Sequence, residues 1–257
     1  MELFLRNLII GLVMGFIGGY ISAKLMSSGI LGHLKTIIIH KWWVFIYCCK
    51  CGLIWRGIKH DMSKFSPTEF IESIKYYSGT RSPIDACKEV NGYSEAWQHH
   101  KGRNTHHYEH WTDNYDSGTT YILMPLEDAM EMICDYLAAA RAYMGKDFSY
   151  SAEYSWWKDK KEPTVNAMHP AIKLFIENVL CELKDAEVTD NYYKWKFNEK
   201  NLISEYRYAL GVVDSFGPSD DFIKSKPNIS IDEKAKDNID EIIDMANSIL
   251  DTTKNKN

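Results

Sequence analysis

The sequence predicts an all-α protein, with a helical domain behind a single N-terminal transmembrane helix. Three observations carry that prediction. Apolar residues recur at helical spacing along most of the 257-residue chain, and strand-type alternation is scarce. Helix-start signals punctuate it, the clearest being Ser66-Pro67-Thr68-Glu69, with a Ser N-cap, Pro at the first helical position and Glu at the third. Near the N-terminus, sixteen residues from Leu8 to Ala23, LIIGLVMGFIGGYISA, carry no charge.

With Leu3, Phe4 and Leu5 before it and Leu25 and Met26 after it, that apolar run reaches the length of about 20 residues that a membrane requires. Arg6 and Lys24 stand near its ends and can snorkel to the interface. Gly11, Gly15, Gly19 and Ala23 recur every four residues and form a small-residue face suited to self-association in lipid. A cleaved signal peptide is the rival, but no A-x-A site follows. Lys24, Lys35, Lys41 and Lys50 follow the span and only Arg6 precedes it, so the positive-inside rule puts the rest of the chain in the cytoplasm. The six cysteines agree, because three crowd into CCKC at 48–51 without the spacing of a disulfide framework. Cys48 and Cys51 make a lone CxxC, a weak zinc signal better read as buried thiols.

The elements then follow in order. A helix is expected from about Leu34 to Leu53. Its stretch IIIHKWWVFIYCC suits a buried domain helix better than a second span, because His40, Lys41 and Lys50 interrupt it. The Ser66 cap opens the next helix. Gly79 to Pro83 is a turn. Ser94 to Trp97 opens another helix, broken near Gly102, and Asp113 to Thr120 is a polar loop. Pro125 and Glu127 start a helix to about Met144, with Met130, Ile133 and Leu137 along one side. Helices are expected over Pro170 to Leu183, about Tyr192 to Leu210, and Ile231 to Leu250. The domains are an anchor over 1–28, a helical metal-binding domain over 29–185, and a C-terminal extension over 186–257 with a linker near 215–228.

Apolar content of 45% and charged content of 25% are ordinary for a globular domain, and the net charge of −5 gives no basic field for nucleic acid. Lys101 and Arg103 with Trp97, Tyr108 and Trp111 form only a small basic and aromatic patch, so no strong nucleic-acid signal is present.

Histidine placement is the distinctive feature. Five of nine histidines lie in HHKGRNTHHYEHW at 99–111. As one helix, this run would align His99, His106 and His110, and a wet amphipathic helix is the plain alternative to a metal site. His40 shares a helix side with Val44, Tyr47 and Cys51, where it is either a hydrogen-bonded core histidine or a ligand. His60-Asp61 supplies imidazole beside carboxylate, the mixture divalent transition metals accept, or else is an exposed helix-terminal dyad. Asp128, Glu131 and Asp135 fall on one helix side. Among them Asp135, followed by three alanines, needs a metal or an arginine such as Arg141 or Arg103.

The order H…HD…D resembles the HD superfamily of helical metal-dependent phosphohydrolases. HDMSK at 60–64 looks like the HD-x-x-K form of its HD-GYP branch, HHYEHW at 106–111 is similar to the HHE motif, and ICDYLAA at 133–139 looks like the segment with the last aspartate. No GYP follows and the spacings differ, so cyclic dinucleotides are not implied. A longer resemblance, over about Gly32 to Leu183, is to an uncharacterised bacterial and phage family, a domain of unknown function whose members are often labelled catalase. No proximal tyrosine with a supporting arginine stands here to hold haem.

The HD-type pattern implies one or two divalent ions (Mn, Fe, Co, Ni, Zn or Mg). His40, His60, Asp61 and Asp135 would hold one, and His99 or His100 with His106 and His107 a second beside Asp61, with Lys64 and Arg103 neutralising phosphoryl oxygens. It implies a phosphohydrolase using metal-activated water on a nucleotide or other small phosphoester. A membrane-tethered, non-catalytic metal-binding or interaction module is the alternative.

Overall fold

The computed structural model describes residues 29–116, 118–162, 167–189 and 195–213. The expected anchor over 3–26 and the expected helix over 231–250 lie outside these residues. Among the described residues no helix is long and apolar enough to cross a membrane. They form a mainly helical chain whose helices are α1 (Ile30–Lys50), α2 (Ile54–Lys59), α3 (Pro67–Tyr76), α4 (Pro83–Asn91), α5 (Glu95–Arg103), α6 (Leu126–Met144), α7 (Tyr150–Trp156), α8 (Pro170–Val188) and α9 (Glu199–Val212).

The described residues fall into two compact units, 29–39 with 63–100, and 40–62 with 101–213. In the first unit, α3 packs on α4. Ser66 caps α3 by accepting from Glu69 N, as the sequence expects. The N-terminus of α5 is satisfied twice. Ser94 Oγ accepts from Trp97 N at 3.0 Å, and the Glu72 carboxylate accepts from Glu95 N at 3.1 Å and Ala96 N at 3.2 Å. Gly32 admits the Tyr77 ring, since an added Cβ there would stand 2.8 Å from it.

His33, 6% exposed, lies between Phe70 and Tyr77 with its Nδ1 buried and without a hydrogen bond. Burial and then the Lys64 charge bring its pKa from 6.5 down to about 4. The folded state thus binds that proton less readily than the unfolded chain. The neutral ring's contribution is complete above pH 6.5 and is lost as pH falls from 6.5 towards 4. Urea denaturation of wild type and His33→Phe across this range is expected to show a shallower acid loss in the variant. Equal slopes would remove His33 as the cause.

In the second unit α6 is the central helix. Leu126, Ala129, Met130, Met132, Ile133, Cys134, Leu137 and Ala138 are all buried, and so are Asp128, Glu131 and Asp135. A helix buried on every side has no solvent face on which to place its carboxylates. α8 packs against α7 and α9, and α6 touches both α7 and α9. Gly52 (φ 75°) turns the chain after α1. Gly57 then lets α2 lie close to α1, because a Cβ there would stand 2.8 Å from the Cys48 Cβ and 3.1 Å from the Phe45 Cα.

Several expectations are revised. The Asp113–Thr120 loop is an antiparallel hairpin, β1 (Thr112–Tyr115) and β2 (Gly118–Tyr121), pairing Thr112 with Tyr121. Its threonines and tyrosines favour extended backbone, while its polarity reads as loop. The helix expected from Tyr192 begins at Glu199, where the Asn198 side chain accepts from Asn201 N and sets the start. α5 ends at Arg103, so His99, His106 and His110 never align on one helix. α8 runs to Val188, beyond the Leu183 expected for that helix.

Candidate metal centre

Three segments of the second unit converge at its core. His40 comes from α1, His60 and Asp61 follow directly after α2, and Glu131 and Asp135 lie one turn apart on α6. His40 stands on the buried face with Val44, Tyr47 and Cys51. Where α2 ends, His60 N bonds back to Arg56 O at 2.7 Å, and Lys41 Nζ donates to the His60 carbonyl. Asp61 then adopts φ 53°, the one non-glycine left-handed residue among those described. Aspartate tolerates that region at some cost, and such strain concentrates at functional sites.

The nitrogen and oxygen atoms face one another closely. His40 Nε2 is 3.1 Å from Asp135 Oδ1 and 3.5 Å from Asp61 Oδ2. His60 Nε2 is 3.4 Å from Asp135 Oδ1 and 3.2 Å from Asp61 Oδ2. Both imidazole nitrogens are buried and, among the described residues, make no hydrogen bond at these positions. Ligand atoms seated about 2.1 Å from one cation lie roughly 3.0 Å apart at right angles and roughly 3.4 Å apart at the tetrahedral angle. The observed separations are those of ligands around an ion. With an ion replacing the imidazole protons, the two carboxylates would supply the charge that balances a dication.

A second group adjoins the first through Asp61, whose Oδ1 is 3.4 Å from His106 Nε2. Asp61, His106 and His107 each bring a ligand atom within 4.8 Å of the others. Asp61 thus presents Oδ2 to His40 and His60 and Oδ1 to His106, the posture of a carboxylate between two ligand sets.

Glu131 fixes the rings. His60 Nδ1 donates to Glu131 Oε1 at 2.8 Å, and His106 Nδ1 lies 3.3 Å from the same oxygen. With Nδ1 carrying the proton, each Nε2 keeps a lone pair for a metal, the usual carboxylate–histidine–metal arrangement. Glu131 Oε2 accepts from Arg56 Nε at 2.6 Å, and Arg56 also pairs with Asp128, which accepts from the Thr105 hydroxyl. Burial would raise the Glu131 carboxyl, but His106 and His60 hold it well below the usual carboxylate range. Asp135 is held low in the same way against burial by His40 and His60. His60 is raised well above its ordinary value, burial opposing and Asp61 and Asp135 prevailing. Protons and a cation therefore compete for these atoms. Glu153 on α7 is pushed up to about 8 by burial and the Asp135 charge, so it is mainly protonated at neutral pH.

His40, His60, Asp61, His106, His107 and Asp135 come together in the second unit. His99 and His100 belong to the first unit, where both contact the buried Glu69 through Nδ1 at 2.7 Å. Lys64 also belongs to the first unit, in the short 3-10 turn Met62–Phe65. Arg103 ends α5 and, with Arg56 and Lys59, lines a cleft of about 260 Å³ beside His60, His106 and Glu131. His110 contacts the Lys101 carbonyl at 3.0 Å and joins neither group. Neither Arg141 nor Arg103 is the partner of Asp135. Arg141 donates to the Tyr47 hydroxyl at 2.6 Å and covers the Trp43 and Phe148 rings. The CxxC thiols are buried, Cys51 Sγ lying 3.9 Å from Cys134 Sγ. The sequence places Glu131 on the Asp135 side of its helix without assigning it a role, and Arg56 is a functional residue that sequence reasoning does not single out. Glu131 precedes Asp135 by one turn, and Arg56 precedes His60 by one turn.

A family model described as "Family of unknown function (DUF5662)" matches residues 29–182. No curated protein and no solved structure matches the chain.

Proposed function

We propose that this chain, which belongs to the family of unknown function DUF5662, is a metal-dependent phosphohydrolase acting on a nucleotide or other small phosphoester. The observation that carries this is the convergence of His40, His60, Asp61 and Asp135, with their facing atoms 3.1 to 3.5 Å apart, on a strained Asp61 and behind a histidine-orienting Glu131. The H…HD…D order resembling the HD superfamily adds to it.

His40, His60, Asp61 and Asp135 would hold a divalent ion, and His106 and His107 would hold another against the second oxygen of Asp61. When bound, such an ion would supply Lewis acidity, bringing the pKa of water towards ~7 in favourable cases. The protein's own residues do the rest. Glu131 keeps the imidazole protons on Nδ1, Arg56 balances the Glu131 charge, and Lys59 and Arg103 flank the cleft with the cations a phosphoryl group needs. The apolar run over 3–26 would tether this domain to a membrane, on the cytoplasmic side.

A non-catalytic metal-binding module is the second reading. It is favoured by the depth of the ligands, with Asp61 only 1% and His60 2% exposed. One experiment separates the two. The purified full chain is analysed for bound metal, stripped, and reloaded with Mn, Fe, Co, Ni, Zn or Mg against a panel of nucleotides and small phosphoesters. Metal-dependent release of phosphate or of a phosphoester product is the expected result. Bound metal without turnover of any phosphoester would favour the module, and the absence of bound metal would overturn both.

A further inference from the structure

A second cleft of the same unit, away from the metal ligands, has a lining the proposed hydrolysis does not use. It measures about 1050 Å³ and lies where the end of α1, the start of α7, the end of α8 and the N-terminal half of α9 meet. That is ample for a small organic molecule, whose sites run roughly 300–1,000 Å³. None of the metal-centre residues borders it.

Its chemistry is specific. Lys50, Lys196, Lys200 and Arg207 all line it. These four cations come from α1, from the segment before α9, and from α9 itself, so the fold gathers them in a chain whose net charge is −5. The single carboxylate in the lining, Glu199, lies against Gly52, where an added Cβ would stand 2.8 Å from its Oε2. The start of the 14-residue helix α9 adds the positive end of its dipole. Aromatic rings line the cleft beside these cations, the half-buried Tyr150 and Trp195, which is 9% exposed. Cations from several directions suit a phosphate chain, and an aromatic wall suits a stacked base.

From this lining we infer that the α1–α9 cleft binds a nucleotide through its phosphates and its base, separately from the metal centre. Lys50, Lys196, Lys200 and Arg207 take the phosphates, and Trp195 takes the ring. A free inorganic phosphate chain shares the first chemistry and lacks the second.

The test uses the full chain stripped of metal, so that the metal centre takes no part. ATP, ADP, AMP and pyrophosphate are titrated by calorimetry, with Trp fluorescence in parallel. Saturable nucleotide binding in the range of ~10–100 μM is expected, with pyrophosphate about tenfold weaker or worse. The exposed pair Lys200→Glu and Arg207→Glu together should weaken nucleotide binding about tenfold or more, while metal content and any phosphoester turnover stay at the wild-type level. Trp195→Leu should bring nucleotide affinity towards that of pyrophosphate. No saturable binding at ~1 mM nucleotide, or unchanged affinity in the double variant, would overturn the site. Pyrophosphate binding as tightly as ATP would overturn its assignment to nucleotides. Because nucleotide binding is measured without metal, failure here leaves the proposed hydrolysis standing, and failure of hydrolysis leaves this site standing.

Discussion

Asp135→Ala is expected to strip the centre of its metal and to lower metal-dependent phosphoester hydrolysis on the order of 10³-fold. Asp135 Oδ1 lies close to both His40 Nε2 and His60 Nε2, at 3.1 and 3.4 Å, and shares that position with Asp61 Oδ2. Removing it takes away a ligand and half of the negative charge that balances the ion. Two buried imidazoles remain with only Asp61 opposite them. Deleting one side of a buried charged pair typically costs ~3–5 kcal/mol, so the metal-free variant should also melt earlier than the metal-free wild type. His60→Ala should behave alike in metal content. Asp113→Ala on the exposed hairpin serves as the control and should retain the ion. Metal analysis and initial rates decide the matter, and normal metal content in Asp135→Ala would dismiss the centre as drawn.

The second large effect is expected at a residue that touches no metal. Glu131→Ala removes the acceptor for His60 Nδ1 and the counter-charge of Arg56. Both rings then lose what fixes their tautomer, and an arginine of intermediate exposure loses a partner. Loss of such an orienting carboxylate typically weakens metal binding by about 10–100-fold. Glu131→Gln keeps an oxygen acceptor for the imidazole protons and loses only the charge, so its loss should be the smaller, nearer ~10-fold. A purely structural role would lower thermal stability in both variants and leave the affinity of the refolded protein for metal unchanged. Competition with a metal-binding dye therefore separates orientation from stability, and equal wild-type affinity in Glu131→Ala would refute the orienting role.

Much of the architecture was legible in the sequence. Ser66 and Pro67 announce α3, and the apolar spacing around Met130, Ile133 and Leu137 announces α6, because caps and periodicity are local properties. The hairpin at 112–121 was hidden by its polarity, and α2 by its six residues and its internal glycine. Short elements depend on what they pack against more than on propensity. The start of α9 was placed too early because the aromatic residues before Asn198 read as helix until the cap is recognised.

The sequence by itself determined that histidines and aspartates recur in a metal-like order on a helical scaffold. It also placed Glu131 one turn from Asp135 on the same helix side, and Arg56 one turn before His60. Only the tertiary structure decided which of those residues meet. His40, His60, Asp61 and Asp135 converge in one group in the second unit, and His106 meets Asp61 and Glu131 beside it. The physical reason is range. Periodicity tells which side of a helix a residue occupies, but the approach of α2 to α1 rests on the missing side chain of Gly57, and the presentation of Asp61 on a left-handed backbone. Those are contacts between segments distant in the chain, and no local pattern records them.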